Sequence, residues 1–197
     1  MKKLTILALA TLTILAVSVP AFGYTLLSPR RVWKNTPVSV PVYNRGNAKI
    51  NDSDGGVTAV VNAIKTWGIV GSASTSIAAV RGQAPATITL NSNGHICNGS
   101  CLAATLTGYY HQEGNSTFID DADIYTNTKV DMTSSRETDG CSGEYDIDGI
   151  MVHEVGHVIG LGHSNVTGAT MYPSVSACNF NNRTLEADDL AAKNDLY

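Results

Sequence analysis

The sequence predicts an α+β fold in a single domain, and three patterns point to it. Apolar residues alternate in "TPVSVPVYN", recur at helical spacing in "VTAVVNAIKTWG", and later strand-like segments give way to two further helical ones. The 197 residues, 43% apolar and 15% charged, suffice for one core, and no linker or low-complexity stretch divides them. The net charge of -4, without any cluster of Lys and Arg, argues against a nucleic-acid partner. A protein or small-molecule partner is expected instead.

The elements follow in order. "MKK", the uncharged run "LTILALATLTILAVSV" and the small residues Ala21 and Gly23 around Phe22 read as a signal peptide over residues 1 to 23. The run is short for a membrane span and ends at a small-residue site, so no stable membrane anchor is expected. The mature domain, residues 24 to 197, should start near Tyr24 and be secreted, extracellular or periplasmic. Val38, Val40 and Val42 share one face of a strand, and "NDSDGG" punctuates. Val57, Val60, Val61, Ile64 and Trp67 make a helical stripe that Gly68 can stop. "TSIAAVRG" and "ATITL" read as strands, and "LAATLTGYY" with "STFIDDADIYTN" as a further strand pair. A middle helix starts at Asp146 or Asp148, either able to cap it, with Met151, Val155, Val158 and Ile159 as the apolar stripe facing the sheet. Thr184 can cap a last helix, "LEADDLAAKNDLY", whose Glu186, Asp188 and Asp189 lie near its positive end.

Cys97, Cys101, Cys141 and Cys178 are even in number in an exported chain, which favours structural disulfides over free thiols. Four cysteines allow three pairings. "CNGSC" could close on itself, leaving Cys141 with Cys178. A second metal site on these cysteines is the weaker alternative, because no CxxC unit or paired histidine accompanies them.

Three of the five histidines stand in "HEVGHVIGLGH". His153 and His157, four apart on the middle helix, lie one turn from each other, so both imidazoles can reach one ion. Gly160 permits a left-handed exit, after which the chain can bring His163 back to the same point. Three neutral imidazoles with an open fourth position describe a catalytic zinc site, since structural sites are closed by four protein ligands. Glu154 is poorly placed to be a ligand but can reach a metal-activated water. A purely structural site would not require it.

"HEVGHVIGLGHS" followed by "GATMYP" resembles the metzincin zinc endopeptidases, and within them the matrixin branch. The motif covers His153, Glu154, His157, Gly160 and His163, and Met171 matches the methionine of the Met-turn beneath the metal. "YDIDGIMVHE", "CLAATLTGYY", "DADIYTN" and the last helix resemble, in turn, the helix entry, the substrate-binding edge strand, the next strand and the closing helix. The resemblance implies a twisted mixed sheet with two long helices, an active-site helix across the cleft and a small C-terminal subdomain. Pro173 stands where astacin-like and serralysin-like members carry a tyrosine, which favours the matrixin branch. No cysteine-switch segment precedes the first strand, so no such prodomain is expected. With His95 and His111 as the remaining histidines and none in "DADIYT", a second, structural zinc is not expected.

The expected activity is secreted zinc-dependent peptide hydrolysis: one zinc on His153, His157 and His163, a zinc-activated water, and Glu154 as general base. Leu102 and Ala103 are expected to pair with an extended peptide by strand addition. The alternative is an exported zinc-binding adhesin or an inactive homologue used for recognition. Intact Glu154 and three intact ligands favour the enzyme. Calcium is a possible second cofactor, because "NDSDGG" and "FIDDAD" offer clustered oxygens, although neither is an EF-hand loop. A monomer acting on a protein or peptide substrate is expected. Sequons at Asn98, Asn115, Asn165 and Asn182 imply glycans only in a eukaryotic route, and the "MKK" leader looks bacterial.

Overall fold

The computed structural model describes residues 22–34, 42–44, 47, 49–51, 54–68, 87–91, 95–134 and 140–197. Residues 1 to 21 of the expected signal peptide, Val38, Val40 and "TSIAAVRG" lie outside these residues. Among the described residues, strands β1 (Tyr24–Leu26), β2 (Val32–Trp33), β3 (Val42–Asn44) and β4 (Ile50–Asn51) precede helix α1 (Val57–Trp67). Strands β5 (Thr87–Asn91), β6 (Ala103–Glu113), β7 (Ser116–Thr126), β8 (Met132–Thr133) and β9 (Tyr145–Asp146) lead into helix α2 (Ile147–Val158). Strand β10 (Leu161–Ser164) and helix α3 (Ala187–Leu196) follow. Among the described residues no helix is long and apolar enough to cross a membrane.

The principal sheet is mixed and is organised around β7. On one edge β6 runs antiparallel to β7, turning at Gly114, whose φ of 59 suits the hairpin. On the other edge β2 lies parallel against Phe118 and Ile119, β5 lies parallel against Asp121 to Tyr125, and β3 pairs beyond β5. Among the described residues β6 pairs with β7 alone, so its outer edge is open.

Helix α2 is the centre of the core rather than a one-sided amphipathic helix. Met151, Val155, Val158 and Ile159 are buried, but so are Ile147 and Val152 on other faces, because α1, β6 and β10 all pack against it. Two tryptophans fix its position through main-chain carbonyls. Trp67 Nε1 donates to Val152 O at 2.7 Å, and Trp33 Nε1 donates to Val158 O at 3.0 Å, satisfying an acceptor in the helix's last turn. Gly156 makes the contact with α1 close: a Cβ there would stand 2.9 Å from the Trp67 ring and 2.2 Å from Met171 Sδ.

The helix ends follow local rules with one correction. Asp146 caps α2, accepting from the N–H groups of Asp148 and Gly149 at 3.2 Å each, and Arg183 grips the same carboxylate through Nε at 2.8 Å and a terminal nitrogen at 2.6 Å. Gly68 ends α1 with φ 62. The last helix is capped by Glu186, not Thr184. Glu186 and Asp189 form a reciprocal capping box two residues further on, whereas the Thr184 carbonyl is engaged by Thr170 Oγ1.

A short strand absent from the sequence reading clamps the exit of α2. β1 pairs antiparallel with β10, Tyr24 opposite Ser164 and Leu26 opposite Leu161. Thr25 Oγ1 donates to His163 O at 2.8 Å, and Asp188 accepts both Gly23 N–H (2.7 Å) and Ser164 Oγ–H (2.6 Å). The disulfides join Cys97 to Cys101 and Cys141 to Cys178. The second ties the segment before β9 to the loop after Met171.

Candidate metal centre

The three histidines converge. His153 and His157 project from α2 at adjacent turns, and the chain leaves the helix through Gly160, whose φ is 103. That glycine is required twice over, because a Cβ would also lie 2.3 Å from the Arg31 carbonyl oxygen. His163 then returns on β10, exposed at the rim. Ring centroids stand 4.7 Å (His153 to His157), 4.9 Å (His157 to His163) and 5.3 Å (His153 to His163) apart.

The hydrogen bonds settle which nitrogens face one another. His153 Nδ1 donates to Thr170 O at 2.7 Å, and His157 Nδ1 donates to Leu161 O at 2.8 Å. A carbonyl only accepts, so Nδ1 carries the proton in both rings and Nε2 carries the lone pair. Yet the two Nε2 atoms lie 3.1 Å apart with no proton between them. Two imidazoles about 2.1 Å from one tetrahedral zinc would stand roughly 3.4 Å apart, so this donor set fits the ion. Burial, and then the nearby His153, pushes His157 down to about 3, while burial also lowers His153. Both rings are therefore neutral near pH 7, the form that ligates.

Glu154 points between the helix and the edge strand. It is 4% exposed, and burial pushes its carboxyl up to about 7 against the lowering effect of a hydrogen bond from Thr105. Thr105 Oγ1 lies 2.5 Å from Glu154 Oε2. Nothing in the sequence pattern singled out Thr105, because its partner is 49 residues away.

Met171 is buried beneath α2 against Gly156. Its backbone is held by a residue that the sequence reading placed only at a helix end: Asp189, fully buried, accepts from the N–H groups of Thr170 (2.8 Å) and Met171 (2.9 Å). Since Thr170 O in turn orients His153, Asp189 secures the turn that sets that ring.

A cavity of about 380 Å³ opens beside the histidines, lined by Leu102, Ala103 and Ala104 and by Tyr172 to Val175. Of the two edge residues expected to meet a peptide, Leu102 spends its carbonyl inside the sheet, accepting Asn127 N–H at 2.9 Å. By the alternation of an antiparallel ladder, Ala103 and Thr105 turn their backbone groups to the open edge. Of the oxygens considered for calcium, those of Asp54 accept from Gly56 and Thr58 at the start of α1, and Asp120 accepts from His111 Nδ1 at 2.8 Å. Cys141, Glu144 and Cys178 also cluster, with both cysteines in the disulfide.

A histidine triad on a helix and its returning strand, a carboxylate beside it and a methionine turn beneath it define a metzincin-type domain. The matrixin family model (peptidase M10) matches residues 83–197, and the chain belongs to that family. It is 44% identical over 55 residues to Metalloendoproteinase 1 of Glycine max, which covers 28% of this chain and 17% of that protein. Matrilysin of Rattus norvegicus is 37% identical over 60 residues, 30% of this chain and 22% of that protein. Karilysin of Tannerella forsythia is 42% identical over 52 residues, 26% and 10% respectively. The matched segments thus span less than a quarter of each of these relatives.

Proposed function

We propose that the chain is an exported zinc-dependent endopeptidase, with residues 1 to 23 as its leader and 24 to 197 as the catalytic domain. The observation that carries this reading is the pair of unprotonated Nε2 atoms facing each other at 3.1 Å beside a buried carboxylate. His153, His157 and His163 would hold the ion, and a zinc ion so held supplies Lewis-acid polarisation of a substrate carbonyl. An extended protein or peptide substrate adds to the open edge of β6 at Ala103 and Thr105. The cleft between that edge and Tyr172 to Val175 receives its side chains. Glu154, with its affinity for a proton raised by burial, takes a proton from the attacking water and delivers it to the leaving amine. Met171 supports the histidines from below and takes no covalent part.

The test is metal analysis and peptide hydrolysis on the same preparations. Zinc near one per chain after dialysis is expected, lost in His157→Ala. Glu154→Ala is expected to keep zinc and lose about 10² to 10⁴-fold in turnover. A zinc-loaded protein that hydrolyses no peptide would leave only recognition, and a Glu154→Ala variant with normal turnover would overturn the role given to that residue.

A further inference from the structure

The carboxylate of Glu154 has a partner on neither its own helix nor the histidine cluster. Thr105, in the middle of β6, places Oγ1 2.5 Å from Glu154 Oε2 and 3.1 Å from Glu154 O. The threonine stands between Ala104 and Leu106, which face Tyr125 and Asp123 in the β6 to β7 ladder. A hydroxyl has one proton and two lone pairs, and here both acceptors within its reach belong to the same residue. The terminal torsion of a glutamate is broad, so an unpinned carboxylate would turn freely. With Oε2 engaged, Oε1 has no hydrogen-bond partner among the described residues, and Glu154 forms part of the cleft lining.

We infer that Thr105 is a positioning residue for Glu154: its hydroxyl holds Oε2 and thereby presents Oε1 to the water that attacks the substrate. This rests on the peptidase reading above. It also couples two events at one residue. The backbone of Thr105 faces the open edge on which a peptide would pair, while its side chain aims the base, so seating the substrate on β6 steadies the post that orients Glu154.

Thr105→Val removes the hydroxyl while keeping the shape and the strand preference, and Thr105→Ser restores it. Thr105→Val is expected to lower kcat about 10-fold, equivalent to about 1.4 kcal/mol. KM should change by no more than about twofold, and zinc should remain near one per chain. Thr105→Ser should recover most of the lost rate. Normal kcat in Thr105→Val, an effect confined to KM, or a Ser variant as slow as the Val variant would each overturn the inference. Failure of the peptidase reading is seen separately, as no hydrolysis by the unmodified protein or as full activity in Glu154→Ala. In that event thermal unfolding of Thr105→Val, Glu154→Ala and the double variant decides on the contact itself. The Thr105→Val shift should be smaller in the Glu154→Ala background, where only the contact to the main-chain carbonyl of residue 154 is left, and full additivity would show that the hydroxyl does not hold the carboxylate.

Discussion

Replacing Gly160 with alanine tests how the third histidine is delivered. Gly160 has φ 103, and an added methyl would lie 2.3 Å from the Arg31 carbonyl oxygen and 3.0 Å from Leu196 Cδ2. The leucine can rotate away. The oxygen cannot, because it belongs to the main chain between β1 and β2, and Leu27 N–H already donates to Gly160 O at 3.0 Å. The left-handed backbone costs about 1–2 kcal/mol for a residue with a Cβ, and the collision about 1–3 kcal/mol more. Together these give about 3 kcal/mol, or roughly 10 °C in Tm for a domain of this size. Gly168→Ala separates the two costs, because Gly168 has φ 97 but nothing within 4 Å of an added methyl. It should lose only the backbone part, about 1–2 kcal/mol. The assay is thermal unfolding of the zinc-loaded variants, with zinc content after dialysis as a second reading. Gly160→Ala should also lose zinc, since His163 is three residues downstream, whereas Gly168→Ala should retain it. Equal Tm losses, or a smaller loss for Gly160→Ala, would refute the steric reasoning.

The disulfides should differ in worth. Chain entropy gives roughly 4 kcal/mol for Cys141 with Cys178, separated by 37 positions, against roughly 2 kcal/mol for Cys97 with Cys101, separated by 4. Denaturant unfolding of the two double Cys→Ser variants should rank them in that order, and the 141 and 178 pair alone should alter cleavage preference; a reversed ranking counts against it. His111 is held above its ordinary 6.5 chiefly by the hydrogen bond its Nδ1–H donates to Asp120, with Glu113 adding to it. A raised histidine stabilises the fold fully below about pH 6.5 and loses that effect as pH rises through the elevated folded midpoint. An NMR titration should show the midpoint falling in Asp120→Asn, and an unmoved midpoint would dismiss the pairing.

The histidine cluster was legible because its geometry is local. His153, Glu154, His157, Gly160 and His163 follow one another at spacings that helix geometry converts directly into positions. The first helix was legible for the same reason, its stripe from Val57 to Trp67 ending at Gly68. What escaped the reading depends on register between distant segments. Thr105 became relevant only when β6 paired with β7 and lay across α2, and Asp189 only when α3 docked under Met171. β1 and β2 were missed because each is too short to show a period. The Thr184 cap failed because hydroxyl preference at a helix start was outweighed by the reciprocal Glu186 and Asp189 bonds, which two nearby carboxylates made possible. Which backbone groups near Leu102 and Ala103 face the open edge was not legible either, because that depends on the hydrogen-bond phase of the strand.

The acceptors that orient His153 and His157 are main-chain carbonyls, those of Thr170 and Leu161. A side-chain acceptor can be deleted by one codon change, but a carbonyl belongs to every residue that could stand there. Drift at positions 161 and 170 therefore leaves the ring orientations in place as long as the backbone path is kept. Sensitivity passes instead to the residues that steer that path: Gly160 for one carbonyl and Asp189 for the other. A library that randomises the cleft for new specificities could accordingly vary Tyr172 to Val175 widely while holding those two fixed, and expect the two rings to stay aligned.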